Sequence, residues 1–121
     1  GGVQMLIAAD LIRGHTETII LAQLMQRDSY GYEINKTIRA ISDDRYELKE
    51  ATLYTAFKRL EEMGQITSYW GQEATGARRR YYRITDAGRA AYREQVQTWD
   101  TAKEIIDKLI ELGGDAKCEI S

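Results

Sequence analysis

The chain has 121 residues, 43% of them hydrophobic and 30% charged, with a formal net charge of −2. That balance excludes a disordered polymer and suits one folded domain. A single cysteine, Cys118, excludes an internal disulfide and a multi-cysteine zinc cluster, and fits a reducing compartment.

The longest apolar run falls far short of the roughly 20 residues that cross a bilayer. The opening "GGVQMLIAA" lacks the basic start of a secretory signal. The expected location is the cytoplasm, with no membrane partner. Charge is unevenly spread. Residues 49–83 carry 7 Lys+Arg against 4 Asp+Glu, while residues 1–48 carry 5 against 7 and residues 84–121 carry 5 against 8. A basic centre between acidic flanks points to an anionic partner.

From about Asp10 to Gln26, Leu11, Ile12, Ile19, Ile20, Leu21 and Leu24 recur with helical spacing. One long helix is expected, weakened at Gly14, with Thr16 as the alternative start of a shorter one. "RDSYGYEIN" interrupts it. Ser29 is the expected N-cap of a helix from about Tyr30 to Ile41, with Ile34, Ile38 and Ile41 on its buried face. Gly31 lets that helix approach a neighbour closely. After the polar "ISDDRYELKE", a helix is expected from about Glu50 to Met63. Leu53, Ala56, Phe57 and Leu60 line its buried side, and Thr52, Thr55, Arg59 and Glu62 the opposite one. Gly64 closes it in the left-handed conformation that favours glycine.

"QITSYW" and "RRRYYRI" alternate as strands and predict a hairpin joined by a turn of about seven residues. Thr85 caps a last long helix reaching about Leu112, which Gly113-Gly114 terminate. The order is that of a winged helix-turn-helix, mainly α with a two-stranded β-hairpin, followed by a long C-terminal helix. Residues 1–84 read as the DNA-binding domain, its N-terminal helix also part of the dimer face, 85–112 as a dimerisation helix and 113–121 as a flexible tail.

Three features carry chemistry. In the Glu50–Met63 helix, Thr52 and Thr55 suit base edges, and Lys58 or Arg59 suit guanine or phosphate. An ordinary amphipathic surface helix has the same pattern. In the hairpin, Tyr82 and Ile84 share a face with Arg80, so Tyr82 is expected in the core, with Arg78 and Arg79 freest to reach phosphate. The competing reading is a charged edge that blunts strand pairing, for which three arginines are more than is needed. In the last helix, Trp99, Ala102, Ile106 and Leu109 are spaced 3, 4 and 3, a seam that suits a second copy or the first helix of the same chain. Enzymatic chemistry finds no support. His15, the only histidine, has no nucleophile or metal ligand near it in sequence, and no phosphate-binding glycine motif occurs. No cofactor is expected.

"YGYEI" (residues 30–34), "ATLYTAFKRLEEMGQI" (51–66) and "GARRRYYRITDAG" (76–88) together resemble the PadR-like transcriptional regulators. The match in order and spacing runs from about Asp10 to Leu112. The single terminal helix resembles the small subgroup, and "SYWG" and "TWDTAKEIIDKL" are similar to its multidrug-responsive members. The resemblance implies a homodimeric repressor of efflux or detoxification genes, bound to a pseudo-palindromic operator in double-stranded DNA. It implies DNA contacts from Tyr32, Lys36, Lys49, Thr52, Tyr54, Lys58, Arg78, Arg79 and Arg80.

It also implies that Trp99 faces its two-fold mate across a site for a planar aromatic effector. Leu11, Gly14, Thr18, Ala22, Tyr92, Val96 and Lys103 would wall that site. Packing of the dimer seam is the other reading of Trp99. This chain departs from the family in having Thr55 where proline is usual, Lys49 where a capping side chain is expected, and small Ala22 in place of a polar pore residue. A protein-interaction module and a ligand carrier without operator binding are the alternative functions.

Overall fold

The computed structural model describes residues 2–73 and 76–114. Residues 115–121 of the expected tail, Cys118 among them, and Ala74 and Thr75 of the hairpin turn lie outside the described residues. The elements are α1 (Gly2–Arg13), α2 (Thr16–Gln26), α3 (Gly31–Ile41), α4 (Glu50–Glu62), β1 (Ile66–Gln72), β2 (Arg78–Ile84) and α5 (Asp86–Ile110), ending in a 3₁₀ turn at Glu111–Gly113.

The expected single N-terminal helix is two. Gly14 and His15 separate α1 from α2, and Thr16 turns its hydroxyl back to donate to the Arg13 carbonyl. That bond occupies an orphan carbonyl at the end of α1 and starts a new helix axis. Glycine and the preceding turn's local competition outweigh the continuous apolar periodicity.

Ile20, Leu21 and Leu24 of α2, Ile34 and Ile38 of α3, and Leu53, Phe57 and Leu60 of α4 form the core, which Ile66, Tyr82 and Ile84 of the hairpin close. Each such side chain contributes about 1.5–3 kcal/mol by leaving water. Phe57 stacks on Tyr82 with ring centroids 3.8 Å apart, seating the hairpin on α4. Ile41, expected on this face, is 77% exposed because α3 ends there and the chain turns away through Asp43 and Asp44, both at positive φ.

The two strands pair antiparallel, with Ile66 opposite Ile84 and Gln72 opposite Arg78. A third short piece joins them. Ser29 and Tyr82 exchange backbone hydrogen bonds of 3.2 and 2.8 Å. Ser29 is therefore a sheet partner and not the expected N-cap. Its hydroxyl donates to the Glu33 carboxylate at 2.6 Å, and Tyr30 occupies the cap position of α3 without a side-chain bond. Thr85 does cap α5, accepting from the Gly88 amide at 3.1 Å. Gly64 ends α4 at φ +71.

Candidate nucleic-acid interface

Helix α4 buries Leu53, Ala56, Phe57 and Leu60 and turns Tyr54, Thr55 and Lys58 to solvent, with Thr52 half-buried beside them. Its position against α3 depends on Gly31, where an added Cβ would lie 3.3 Å from Leu53 Cδ2 and 3.4 Å from the Tyr54 hydroxyl. The connecting loop is fixed by Asn35. Its side-chain amide donates to the Leu48 carbonyl at 2.7 Å, and its carbonyl accepts the Leu48 N–H at 2.8 Å. Both backbone groups of a buried residue are thereby satisfied. The start of α4 at Lys49, whose side chain makes no cap, is registered against α3 by this clamp.

The hairpin distributes its arginines by strand alternation. Arg79 stands on one face, with its Nε 3.4 Å from the Glu73 carboxylate in an ion pair not aligned as a hydrogen bond, and its guanidinium 4.6 Å from the Tyr30 ring. Arg78 and Arg80 lie on the other, over Trp70 at 5.0 and 6.0 Å. Arg80 is also anchored, donating to Ser68 Oγ at 2.9 Å and lying 3.6 Å from the Glu61 carboxylate. Arg83 reaches Asp28 at 3.1 Å, and Tyr69 donates to the same oxygen at 2.6 Å. That bond, before desolvation, raises the Tyr69 hydroxyl above its usual range. The hydrogen bond from Tyr81 to Glu73 pushes Tyr81 up to about 12.

Among the described residues, Lys36 of α3, Lys49 at the start of α4, Lys58 of α4 and Arg78 of β2 are exposed cations without a carboxylate partner. Tyr32, at the start of α3, is also exposed. Two expectations change. Arg79, expected to be free, is held by Glu73 and Tyr30 because the turn carries a carboxylate back to it. Arg59, the alternative to Lys58 for guanine or phosphate, meets Glu17 of α2 at 3.0 Å.

A groove of about 590 Å³ opens where the α1–α2 break meets α5. Gly14, Thr18, Trp99 and Ala102 line it, as do His15 and Arg59. His15 sets its ring edge-on to Trp99 at 4.7 Å, and the Thr18 hydroxyl donates to Gln95. The other residues expected around an effector do not line this groove. Leu11 is 73% exposed on α1, Ala22 and Val96 are half-buried, Tyr92 packs against the core, and Lys103 lies 3.8 Å from Asp100. Beyond Ala102, Ile105, Ile106, Leu109 and Ile110 of α5 stand exposed.

Sequence reasoning missed Asn35, Asp28 and Gly88. An added Cβ at Gly88 would meet the Gln65 carbonyl at 2.1 Å, so this glycine permits α5 to leave directly from the hairpin base. Its proximity to the Thr85 cap was the available signal. Asn35 and Asp28 gave none, since their partners are distant in sequence.

The PadR-like family of transcriptional regulators matches residues 20–94. An uncharacterised protein X of Lysinibacillus sphaericus is 43% identical over 106 residues, spanning 88% of this chain and 97% of its own. A transcriptional regulator from Clostridium thermocellum superposes with a TM-score of 0.76 at 50% identity, over 83% of this chain and 97% of that one. A PadR family transcription regulator from Clostridium difficile gives 0.70 at 34% identity, over 79% and 98%. With its helix-turn-helix, hairpin wing and long last helix, this chain belongs to the PadR-like family of transcriptional regulators, which are not enzymes.

Proposed function

We propose that this chain is a cytoplasmic, homodimeric repressor that binds a pseudo-palindromic operator and controls an efflux or detoxification gene. The observation that carries the reading is the set of exposed cations Lys36, Lys49, Lys58 and Arg78, without a carboxylate partner among the described residues, which fall on α3, at the start of and along α4, and on the hairpin, the elements a winged helix turns to DNA. Residues 1–84 supply the DNA-binding domain and 85–112 the dimerisation helix. Thr52 and Tyr54 meet bases or sugars in the major groove, with Tyr32 and Lys36 on the flanking backbone. Arg78 leads at the wing. Arg79 and Arg80 follow, since each exchanges a carboxylate neighbour for phosphate.

The exposed stripe through Ile106 and Leu109 supports dimerisation, because no described element of the same chain covers it. The resemblance supports a planar hydrophobic effector held between Trp99 and its mate, with Leu11, Gly14, Thr18, Ala22, Tyr92, Val96 and Lys103 around it. Such a ligand regulates only by favouring one separation of the recognition helices over another.

Duplexes selected from a random pool, titrated at two salt concentrations, test the reading. Selected duplexes should bind better than random ones, with affinity falling steeply as salt rises. Arg78→Ala should weaken binding to every duplex and reduce the salt slope by about 1, while Thr52→Ala should change sequence preference. Equal affinity for selected and random DNA, or insensitivity to salt, overturns the proposal. Dye binding at Trp99 without duplex binding would instead favour a carrier.

A further inference from the structure

The outer half of the hairpin holds an aromatic side chain that neither the core nor the DNA contacts proposed above account for. Trp70 is 58% exposed, on the face of the hairpin that continues outward from Ile66, Ser68, Tyr82 and Ile84. At the base this face is buried; at Trp70 the core has ended. An indole in water forgoes the burial that its large apolar area would otherwise give. It is nonetheless held in place. Arg80 stands directly opposite it across the strand pair, with its guanidinium 6.0 Å from the ring, and Arg78 lies at 5.0 Å.

The two arginines differ in freedom. Arg80 is tied to α4 through Ser68 and Glu61, and Ser68 itself donates to Glu61 at 3.0 Å, so the ring rests on a chain of bonds leading to the recognition helix. Arg78 has no carboxylate neighbour among the described residues, and its guanidinium lies over the ring. The result is a flat apolar plate beside a free cation, fixed in register with α4. A solvated, edge-protecting arginine needs no such plate.

We infer that Trp70 is a DNA-reading residue, which packs against the sugar walls of the minor groove next to the major-groove half-site and guides Arg78 into a narrow, A·T-rich floor. This rests on the operator-binding function proposed above and adds to it a sequence preference outside the recognition helix. Narrow A·T-rich grooves concentrate negative potential and attract arginine. Apolar side chains inserted at the minor groove are a recurrent companion to such contacts. The exocyclic amino group of guanine obstructs the same floor.

The experiment uses the whole chain and a duplex that it has selected from a random pool. A·T pairs about half a helical turn outside each half-site are replaced by G·C or by inosine·cytosine. Inosine·cytosine presents the major-groove pattern of G·C but lacks the minor-groove amino group. Wild-type protein should bind the G·C duplex roughly fivefold or more weakly and the inosine duplex nearly as well as the original. Trp70→Ala should bind A·T and G·C duplexes alike, and Trp70→Phe should recover part of the preference. Hydroxyl-radical cleavage should show protected minor-groove sugars at these pairs with wild-type protein. The inference alone is overturned if binding is salt-dependent and selective but G·C and inosine duplexes behave identically. It is equally overturned if Trp70→Ala and Trp70→Phe both discriminate as the wild type does. Absence of any selective duplex binding overturns this inference together with the function on which it rests.

Discussion

Replacing Asn35 by alanine tests how the recognition helix is held. The substitution removes both hydrogen bonds to Leu48 and leaves the N–H and C=O of a buried residue without partners. Each orphaned group costs about 1–3 kcal/mol if it stays dry. Asn35 itself is half-buried, so water enters as the side chain leaves, and the lower end applies: about 2–3 kcal/mol for the pair. For a domain of this size that is a fall in Tm of roughly 8–12 °C. Urea unfolding followed by circular dichroism measures it directly, and duplex affinity supplies the functional readout, since Lys49 and Thr52 follow the clamp. Asn35→Asp separates the two bonds. It keeps an acceptor for the Leu48 N–H but sets a carboxylate oxygen against the Leu48 carbonyl, so it should not rescue the alanine variant. A loss below about 0.5 kcal/mol for Asn35→Ala would refute the clamp, because it would mean that the loop keeps its place without it.

Gly88→Ala should destabilise the protein even though alanine favours helices by about 1 kcal/mol over glycine. The contact with the Gln65 carbonyl, at 2.1 Å, can be relieved only by moving α5 off the hairpin, a net loss of about 2 kcal/mol or more. A thermal melt at or above wild type would contradict it. Ultraviolet titration of Tyr81→Phe against wild type should remove one phenol ionising near pH 12. The raised value favours the protonated, folded form. Its contribution to stability is whole below the unfolded phenol's pKa of about 10 and declines as pH rises through about 12. A difference spectrum centred near the ordinary tyrosine value would show that the bond to Glu73 does not form in solution.

Much of the architecture was legible because it depends on neighbours in sequence. The buried side of α4, the Thr85 cap, the left-handed Gly64 and the inward Tyr82 all follow from periodicity or from residues three or four apart. Ser29 shows where such reasoning stops. Its residue type suits a cap, but Tyr82, 53 positions later, claims its backbone for the sheet. Arg79 was misjudged for a related reason, since the carboxylate of Glu73 and the ring of Tyr30 reach it only once the turn and the α2–α3 connection are folded. The break at Gly14 turned on a hydrogen bond from Thr16 that apolar spacing does not register. The face of α5 beyond Ala102 was visible as a stripe in the sequence and remains an exposed one in the fold.

The hairpin combines a base seated in the core with a tip, at Trp70 and Arg78, whose side chains stand outside it. Tyr82, Ile84 and Ile66 are held by the core, whereas Trp70 and Arg78 lie beyond it, with Arg80 as the ring's link back to α4. Descendants of this chain can therefore change the tip by single substitutions while inheriting the base intact. If the tip reads the flank of the operator, new target sites would arise by drift at a few outer positions. Duplicated copies could then part company in what they regulate long before they differ in shape.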